Sequence, residues 1–327
     1  MPHSLYLSRQ DVIRAGALEW HAARDDIAAV LALHRAGEAE MVAECVLPLG
    51  ADPREKAYGL PARVGGAYAA AGIKWAVHRA AAPAPGEEAI TSTTLVDDIA
   101  TGRPLGMVES ALLTRIRSAA VSATAIGALC PPEGPRRVTL LGAGALARAH
   151  LEMLAALFPG IEDLRLWNRT PARLDALVEG INLPFPISHY KVLDAAIADT
   201  DLVLCCTSAT TPIVGPQAVA PGRAIFQVGF NEVTFDAIAA CDTVTVDLWG
   251  EFARTSAKSL FQMVRAGKFT HDRVAADLSA MALDGWRQES ERAVYFSSFG
   301  LNLFDIALAA RLLRQAAGRG IGARLDG

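Results

Sequence analysis

The sequence predicts an α/β protein whose second half is a doubly wound Rossmann domain, and three observations carry that reading. Residues 137–170 read strand, glycine turn, helix, strand: Val138-Thr139-Leu140-Leu141 passes through Gly142-Ala143-Gly144-Ala145-Leu146-Ala147 into an Ala/Leu-rich segment, then reaches Asp163-Leu164-Arg165-Leu166-Trp167. That is a βαβ unit of the dinucleotide-binding kind. Beyond Thr170, helical stretches and short apolar runs keep alternating, as they do when parallel strands are covered on both faces. Before Pro131-Pro132-Glu133-Gly134-Pro135, a linker signal, the chain instead reads as an N-terminal helix, strand candidates with one hairpin, and a long helix.

Taken in order, Ser8 is an N-cap with Asp11 at the third helical position, and an Ala-rich helix over 22–36 stops at Gly37. A strand is expected over 41–49, followed by a polar loop. Residues 59–66 and 71–77 come next, the second a strand with Lys74 among apolar neighbours. Strands 90–96 and 105–109 form a hairpin around a turn with Gly102 and Pro104. A long helix over 110–129 carries Arg115 and Arg117, and the domain boundary is expected in that helix or the linker after it.

In the βαβ unit, Gly142 allows the tight turn out of the strand, Gly144 lets the backbone approach a pyrophosphate, and Ala147 permits close helix–strand packing. Free amides at the start of the helix, Ala145 and Leu146 among them, complete the phosphate cradle. An NAD-binding unit usually carries Asp or Glu at the end of its second strand. This chain has Asn168-Arg169-Thr170, which can donate to a 2′-phosphate where a carboxylate would repel it. The expected cofactor is NADP(H) in preference to NAD(H). Further strands are expected over 187–190, 201–206, 224–228, 243–246 and 294–296, with helices over 173–179, 192–197, 256–266, 272–281 and 301–317. The loops at strand ends, Thr207-Ser208 and Val228-Gly229, should line the cofactor crevice.

The chain has 327 residues, enough for two domains or one large one, and 52% hydrophobic against 20% charged residues implies a sizeable core. A net charge of −4 gives no footprint for nucleic acid or a membrane surface. No apolar run approaches the roughly 20 residues of a membrane span, and no signal-peptide core is seen. Five cysteines without a CxxC fit a reducing cytoplasm, and the seven histidines form no metal-ligand cluster.

Hydride transfer needs a substrate anchor and a proton donor or acceptor besides the nicotinamide. Lys74 stands mid-strand: facing solvent it is a surface lysine, facing a cleft it becomes a proton shuttle with a lowered pKa. Arg117, among small residues, is either a bidentate carboxylate anchor or part of a helix-surface salt bridge.

The order of motifs resembles the ornithine cyclodeaminase/mu-crystallin family over nearly the whole chain. The matching pieces are Gly72-Ile73-Lys74, the strand 105–109 with 113–123, Gly142-Ala143-Gly144-Ala145, Asn168-Arg169-Thr170 and 297–305. The resemblance implies that Lys74 and Arg117 bind the substrate carboxylate, with Lys74 also near the reacting carbon. It implies that Arg63 and Asn231 belong to the substrate pocket and Ser298 to the cofactor site. It also implies a homodimer and a split fold, in which an α+β substrate and dimerisation domain comprises 1–118 with 297–327 and the Rossmann domain is 119–296. Within the family the likeness is to the dehydrogenase branch of 2,3-diaminopropionate and siderophore pathways, carried by Leu60 to Gly66, Gly72-Ile73-Lys74-Trp75 and Gly267-Lys268-Phe269. The implied reaction is NADP(H)-dependent redox at a C–N bond of a small amino or imino acid. A cyclodeaminase would carry aspartate where this chain has Asn231, which cannot take up a proton. Many members have an arginine where Glu44 or Cys45 aligns, so the substrate should differ in its acid count or carry an added amine. A ligand-binding protein without turnover, like mu-crystallin, is the remaining alternative.

Overall fold

A computed structural model describes residues 4–52, 54–81, 84, 87–250 and 256–325. The chain divides into two units, residues 1–117 with 301–327 and residues 118–300. The first unit starts with β1 (Ser4–Leu7), α1 (Arg9–Arg14), α2 (Trp20–Arg35), β2 (Ala39–Met41) and β3 (Cys45–Pro48). It continues with β4 (Lys56–Val64), β5 (Ala70–His78), β6 (Ile90–Asp98) and β7 (Pro104–Glu109), and α3 (Ala111–Leu129) carries the chain across the unit boundary. Ser8 and Asp11 form a reciprocal capping box at the start of α1. The single strand expected over 41–49 is two strands, β2 and β3, both antiparallel to β4. Between their registers lies Pro61 of β4, which has no N–H to offer a ladder.

The second unit is one parallel eight-stranded sheet in the order β10-β9-β8-β11-β12-β15-β13-β14. Its elements after α3 are β8 (Arg137–Leu141), α4 (Ala145–Leu157), β9 (Asp163–Trp167), α5 (Leu174–Val178), β10 (Ile187–Tyr190), α6 (Leu193–Ile197) and β11 (Leu202–Cys205). There follow β12 (Ala224–Gln227), α7 (Phe235–Ala240), β13 (Thr243–Val246), α8 (Ser259–Arg265), β14 (Val274–Ala276), α9 (Leu278–Leu283) and β15 (Val294–Ser297). From β8 the chain builds outward through β9 and β10, then returns to the other side of β8 with β11. That reversal is the topological switch point of a doubly wound sheet, and ligands bind outside the carboxyl ends of the strands there. The central strands β8, β11, β12 and β15 are buried almost throughout, as parallel strands covered on both faces must be. The helix expected over 272–281 is instead β14 and α9. Asp277 breaks it by capping α9, its side chain accepting from the Ala280 N–H at 2.9 Å.

The first unit closes with α10 (Asn302–Arg319) and β16 (Ala323–Leu325). Its sheet runs β16-β1-β7-β6-β5-β4-β2, with β3 also on β4. The helix α10, buried along most of its length, packs on β4 and β5. Gly72 of β5 is required by that packing, because a Cβ there would lie 2.2 Å from the carbonyl oxygen of Leu95 and 3.1 Å from Ile306. The unit boundaries differ from the expected ones at both crossings. Residues 297–300 belong with the Rossmann sheet, since Ser297 ends β15 and the Gly300 N–H donates to Asp247 at 2.6 Å.

Candidate functional site

On β5 the side chains of Ala70, Lys74 and Ala76 are buried while Ile73 and Trp75 are exposed, so Lys74 faces α10. There its Nζ donates to Asp305 Oδ2 at 2.7 Å and reaches the Thr114 hydroxyl at 3.5 Å. Arg117, one of the last residues of the unit on α3, brings Nε to 3.3 Å from the same carboxylate. The side chains of Lys74, Arg117 and Asp305 are 5%, 10% and 0% exposed. Burial lowers the pKa of Lys74, and Arg117 adds to that, while Asp305 pulls it back up. Burial works against ionisation of Asp305, but Arg117 and Lys74 together outweigh it and hold the carboxyl below its ordinary range. Two buried cations thus share one buried anion, and the surplus positive charge suits the carboxylate of a small acid.

Lys74 does not face solvent but is buried, and the salt bridge that Arg117 makes is buried rather than on the helix surface. The structure does not bring Arg63 to them. Arg63 lies opposite Ala71, at an odd position of the ladder, and therefore on the other face of the sheet from Lys74. It is exposed there and pairs with Glu40 at 3.0 Å.

In the second unit the glycine turn has the form of a phosphate cradle. Gly142 has φ +115°, and a Cβ on it would lie 2.5 Å from the carbonyl oxygen of Cys206. Gly144, the N-cap of α4, has nothing within 4 Å of its Cβ position, and Gly144 and Ala145 are exposed, so the amides that open α4 are accessible. A cleft lined by Ala143, Gly144, Ala145, Arg148, Ala172 and Arg173 adjoins them, with Leu146 half-buried one residue further into the helix. At the end of β9, Asn168 donates to the Thr170 carbonyl at 2.8 Å. Arg169 and Arg173 are exposed and make no ion pair or side-chain hydrogen bond among the described residues. These observations fit a dinucleotide pyrophosphate on the α4 amides and a further phosphate near the two guanidinium groups.

The loops after β11 and β12 meet, since the Val228 and Gly229 amides both donate to the Cys205 carbonyl, at 3.1 and 2.9 Å. Glu232 ties them together: its Oε1 accepts from the Thr207 N–H at 2.6 Å and the Thr207 hydroxyl at 2.9 Å. Its Oε2 is buried without a partner among the described residues. Burial pushes the Glu232 carboxyl up to about 8, against the pull of the Thr207 donors and of Lys258. Lys258 holds the loop from outside the sheet, donating to the carbonyls of Val228 and Gly229 at 2.7 and 2.8 Å. Ser208 is exposed beside this network. Ser298 is buried, with its hydroxyl 3.4 Å from Asp247. Asn231, expected in the substrate pocket, has its amide engaged with the Thr210 carbonyl at 2.9 Å and the Ser259 hydroxyl at 2.9 Å, which makes it a loop brace.

Asp305 and Glu232 were not singled out from sequence. Asp305 had a signal, a lone acid inside the apolar run of α10; Glu232 had none. No group of His, Cys, Asp and Glu fit to hold a metal ion occurs among the described residues. Nor is any described helix long and apolar enough to cross a membrane.

The sequence model of the ornithine cyclodeaminase/mu-crystallin family matches residues 7–319. The N-((2S)-2-amino-2-carboxyethyl)-L-glutamate dehydrogenase of Staphylococcus aureus is 23% identical over 333 aligned residues, covering 98% of each chain. The Delta(1)-pyrroline-2-carboxylate reductase of Bacillus cereus is 29% identical over 250, covering 74% of this chain and 76% of its own. The structure of Thermococcus litoralis Delta(1)-pyrroline-2-carboxylate reductase in complex with NADH and L-proline superposes with a TM-score of 0.87 over 98% of this chain and 100% of that one, at 19% identity. That likeness is one of fold.

Proposed function

The chain belongs to the ornithine cyclodeaminase/mu-crystallin family, and from that membership we propose that it is an NADP(H)-dependent oxidoreductase acting at a C–N bond alpha to a carboxylate. In one direction it reduces an imine or ketimine; in the other it dehydrogenates an N-substituted amino acid. The observation that carries this reading is the buried pair of cations, Lys74 and Arg117, sharing the single carboxylate of Asp305. The relatives support it: one is a dehydrogenase of an N-substituted glutamate and another reduces a cyclic imine. The first of these also favours a substrate of the N-(2-amino-2-carboxyethyl)-glutamate kind, as in a 2,3-diaminopropionate pathway.

When bound, the nicotinamide supplies or accepts the hydride. The residues of the chain do the rest. Arg117 fixes the carboxylate through its planar fork. Asp305 aims both cations and keeps them charged until the acid arrives. Lys74 Nζ, whose proton is loosened by burial, gives or takes the proton that accompanies reduction or oxidation at nitrogen. The preference for NADP(H) is supported by Arg169 and Arg173, both exposed and without a side-chain partner among the described residues, and by Asn168 where an acid would repel a 2′-phosphate. Asn231, engaged on both sides of its amide, gives no support to a redox-neutral deaminase. A homodimer is part of the proposal, supported by the outer face of the first sheet, where Ile73, Trp75 and Leu95 are 36%, 42% and 37% exposed. The free thiols of Cys45, Cys130, Cys205, Cys206 and Cys241 suit a cytoplasmic setting.

The test is NADPH against NADH oxidation by the purified protein, offered 2-oxo acids with and without amines. Turnover that needs both an oxo acid and an amine, and that falls sharply in Arg117→Ala and Lys74→Ala, is expected. Equal activity in those two variants would sink the reading.

A further inference from the structure

A buried acid that the hydride chemistry does not use lies directly beneath the cofactor crevice of the second unit. The carboxyl ends of β8, β11 and β12 stand side by side in the sheet. The turn after β8 closes on the end of β11, because a Cβ on Gly142 would lie 2.5 Å from the carbonyl oxygen of Cys206. A dinucleotide with its pyrophosphate at Gly144 and its adenosine half toward β9 carries its nicotinamide half the other way, over β11 and β12. Two strand spacings, about 9.5 Å, separate β8 from β12, the reach of a ribose and its ring.

Thr207 and Gly229, both half-buried, form the surface there, and Glu232, fully buried, lies behind them. A Cβ on Gly229 would stand 2.2 Å from Glu232 Oε1 and 2.1 Å from the Thr207 carbonyl oxygen, so the carboxyl packs directly against the Gly229 backbone. Thr207 gives Glu232 both its N–H and its hydroxyl, and that hydroxyl accepts from the Ala209 N–H at 3.2 Å, which fixes the turn from Thr207 to Ala209. Oε1 is thus satisfied, whereas Oε2 is buried with no hydrogen-bond partner among the described residues. An ionised oxygen in that position is costly, and a cation brought to the surface above it lowers the cost.

The groups around Glu232 leave it as the acid that changes charge. Burial holds the thiols of Cys205 and Cys206 on β11, and the Tyr295 hydroxyl on β15, well above their ordinary values, so all three stay neutral. Lys258, at the head of α8, draws the carboxyl down while donating to the carbonyls of Val228 and Gly229. Asp247, at the end of β13, also feels Lys258 and is held by the amides of Leu248 and Gly300. Burial nevertheless raises Glu232 to about 8, so both of its charge states are populated around that pH.

We propose that Glu232 is a positioning residue through which the cofactor site distinguishes the two redox states of the nicotinamide ring. Ionised, it favours the cationic oxidised ring; protonated, it favours the neutral reduced one. Binding of the oxidised form therefore releases the Glu232 proton to water, and exchange for the reduced form takes one back. The proposal rests on the reading of the chain as a nicotinamide-dependent redox enzyme.

The test is the affinity for NADP⁺ relative to that for NADPH, titrated from about pH 6 to about pH 9 and repeated with NAD⁺ and NADH. The 2′-phosphate titrates alike in both members of its pair and cancels in the ratio. In the parent the ratio should move toward the oxidised form by about fivefold or more as pH rises. The parent should also release protons on binding NADP⁺ near pH 8 that it does not release on binding NADPH, read as binding heats in two buffers of different ionisation enthalpy. In Glu232→Gln, which keeps an oxygen for Thr207, the ratio should stay level across the range. A ratio that does not move in the parent, or equal proton release with both forms, overturns the inference and leaves the redox reading standing. A ratio that moves as much in Glu232→Gln also overturns it and passes the titration to Asp247 or Lys258. No binding of any of the four nucleotides overturns both.

Discussion

Lys74 and Asp305 lie 231 positions apart in the chain and meet at 2.7 Å, with side chains 5% and 0% exposed. Arg117 reaches the same carboxylate at 3.3 Å, so one anion serves two buried cations. Removing the anion is therefore worse than removing either cation. Asp305→Asn should lower stability by about 3–5 kcal/mol, and Lys74→Met by less, because Asp305 then keeps Arg117. Urea-unfolding midpoints followed by circular dichroism check the order of the two variants.

The two glycines of the phosphate turn should separate folding from binding. Gly142→Ala meets a positive φ and the carbonyl of Cys206, and should cost about 1–3 kcal/mol of stability. At Gly144 an added Cβ has no atom within 4 Å, so Gly144→Val should melt within a few degrees of the parent. It should nevertheless bind NADPH at least about tenfold more weakly, since the new side chain stands where the pyrophosphate approaches. Melting curves and fluorescence titration with NADPH read the two effects independently.

Arg169→Glu places a carboxylate where the proposal has a 2′-phosphate. The affinity for NADPH should fall by about tenfold or more, while that for NADH changes little. Titration with the two cofactors checks the ratio, and equal losses for both would remove Arg169 from cofactor choice.

Glu232 predicts a pH dependence. Its carboxyl is raised from an ordinary 4.5 to about 8 in the folded protein. Between those values the folded chain holds a proton that the unfolded chain has lost, so stability falls as pH rises through that window and levels off above about 8. Glu232→Gln keeps an oxygen acceptor for the Thr207 amide and hydroxyl but cannot ionise. Its melting temperature should fall less than that of the parent between pH 6 and pH 9.

Trp75→Glu puts a charge on the outer face of the first sheet, among Ile73 and Leu95. If a second copy covers that face, the variant should run as a monomer in sedimentation, at a concentration where the parent is a dimer.

The Rossmann half was legible because its signals are local: a glycine turn between two apolar strands, then a regular alternation of elements. The first unit was less so. The strand around Lys74 has apolar residues on both faces, Ala70 and Ala76 inside, Ile73 and Trp75 outside, so its period does not say which way the lysine points. Asp305 finds its meaning only against a strand far away in the chain. The strands β1 and β16, four and three residues long, carry too few side chains to show a pattern. Asp277 could have been read as a cap dividing 272–281, had its position before an apolar run been weighed above the helical period.

The first unit takes its last helix from the far end of the chain, and this sets an order on synthesis. On the ribosome, residues 4–117 emerge with one face of their sheet bare and with Lys74 and Arg117 lacking their counter-ion. The parallel sheet of 118–300 is complete in sequence before α10 and Asp305 appear. A chain cut short before α10 would thus have its nucleotide-binding sheet complete in sequence while the first sheet lacks the helix that covers it, the kind of surface that chaperones and proteases recognise. The proposed acid site, which needs Asp305, is complete only in a chain translated past that residue.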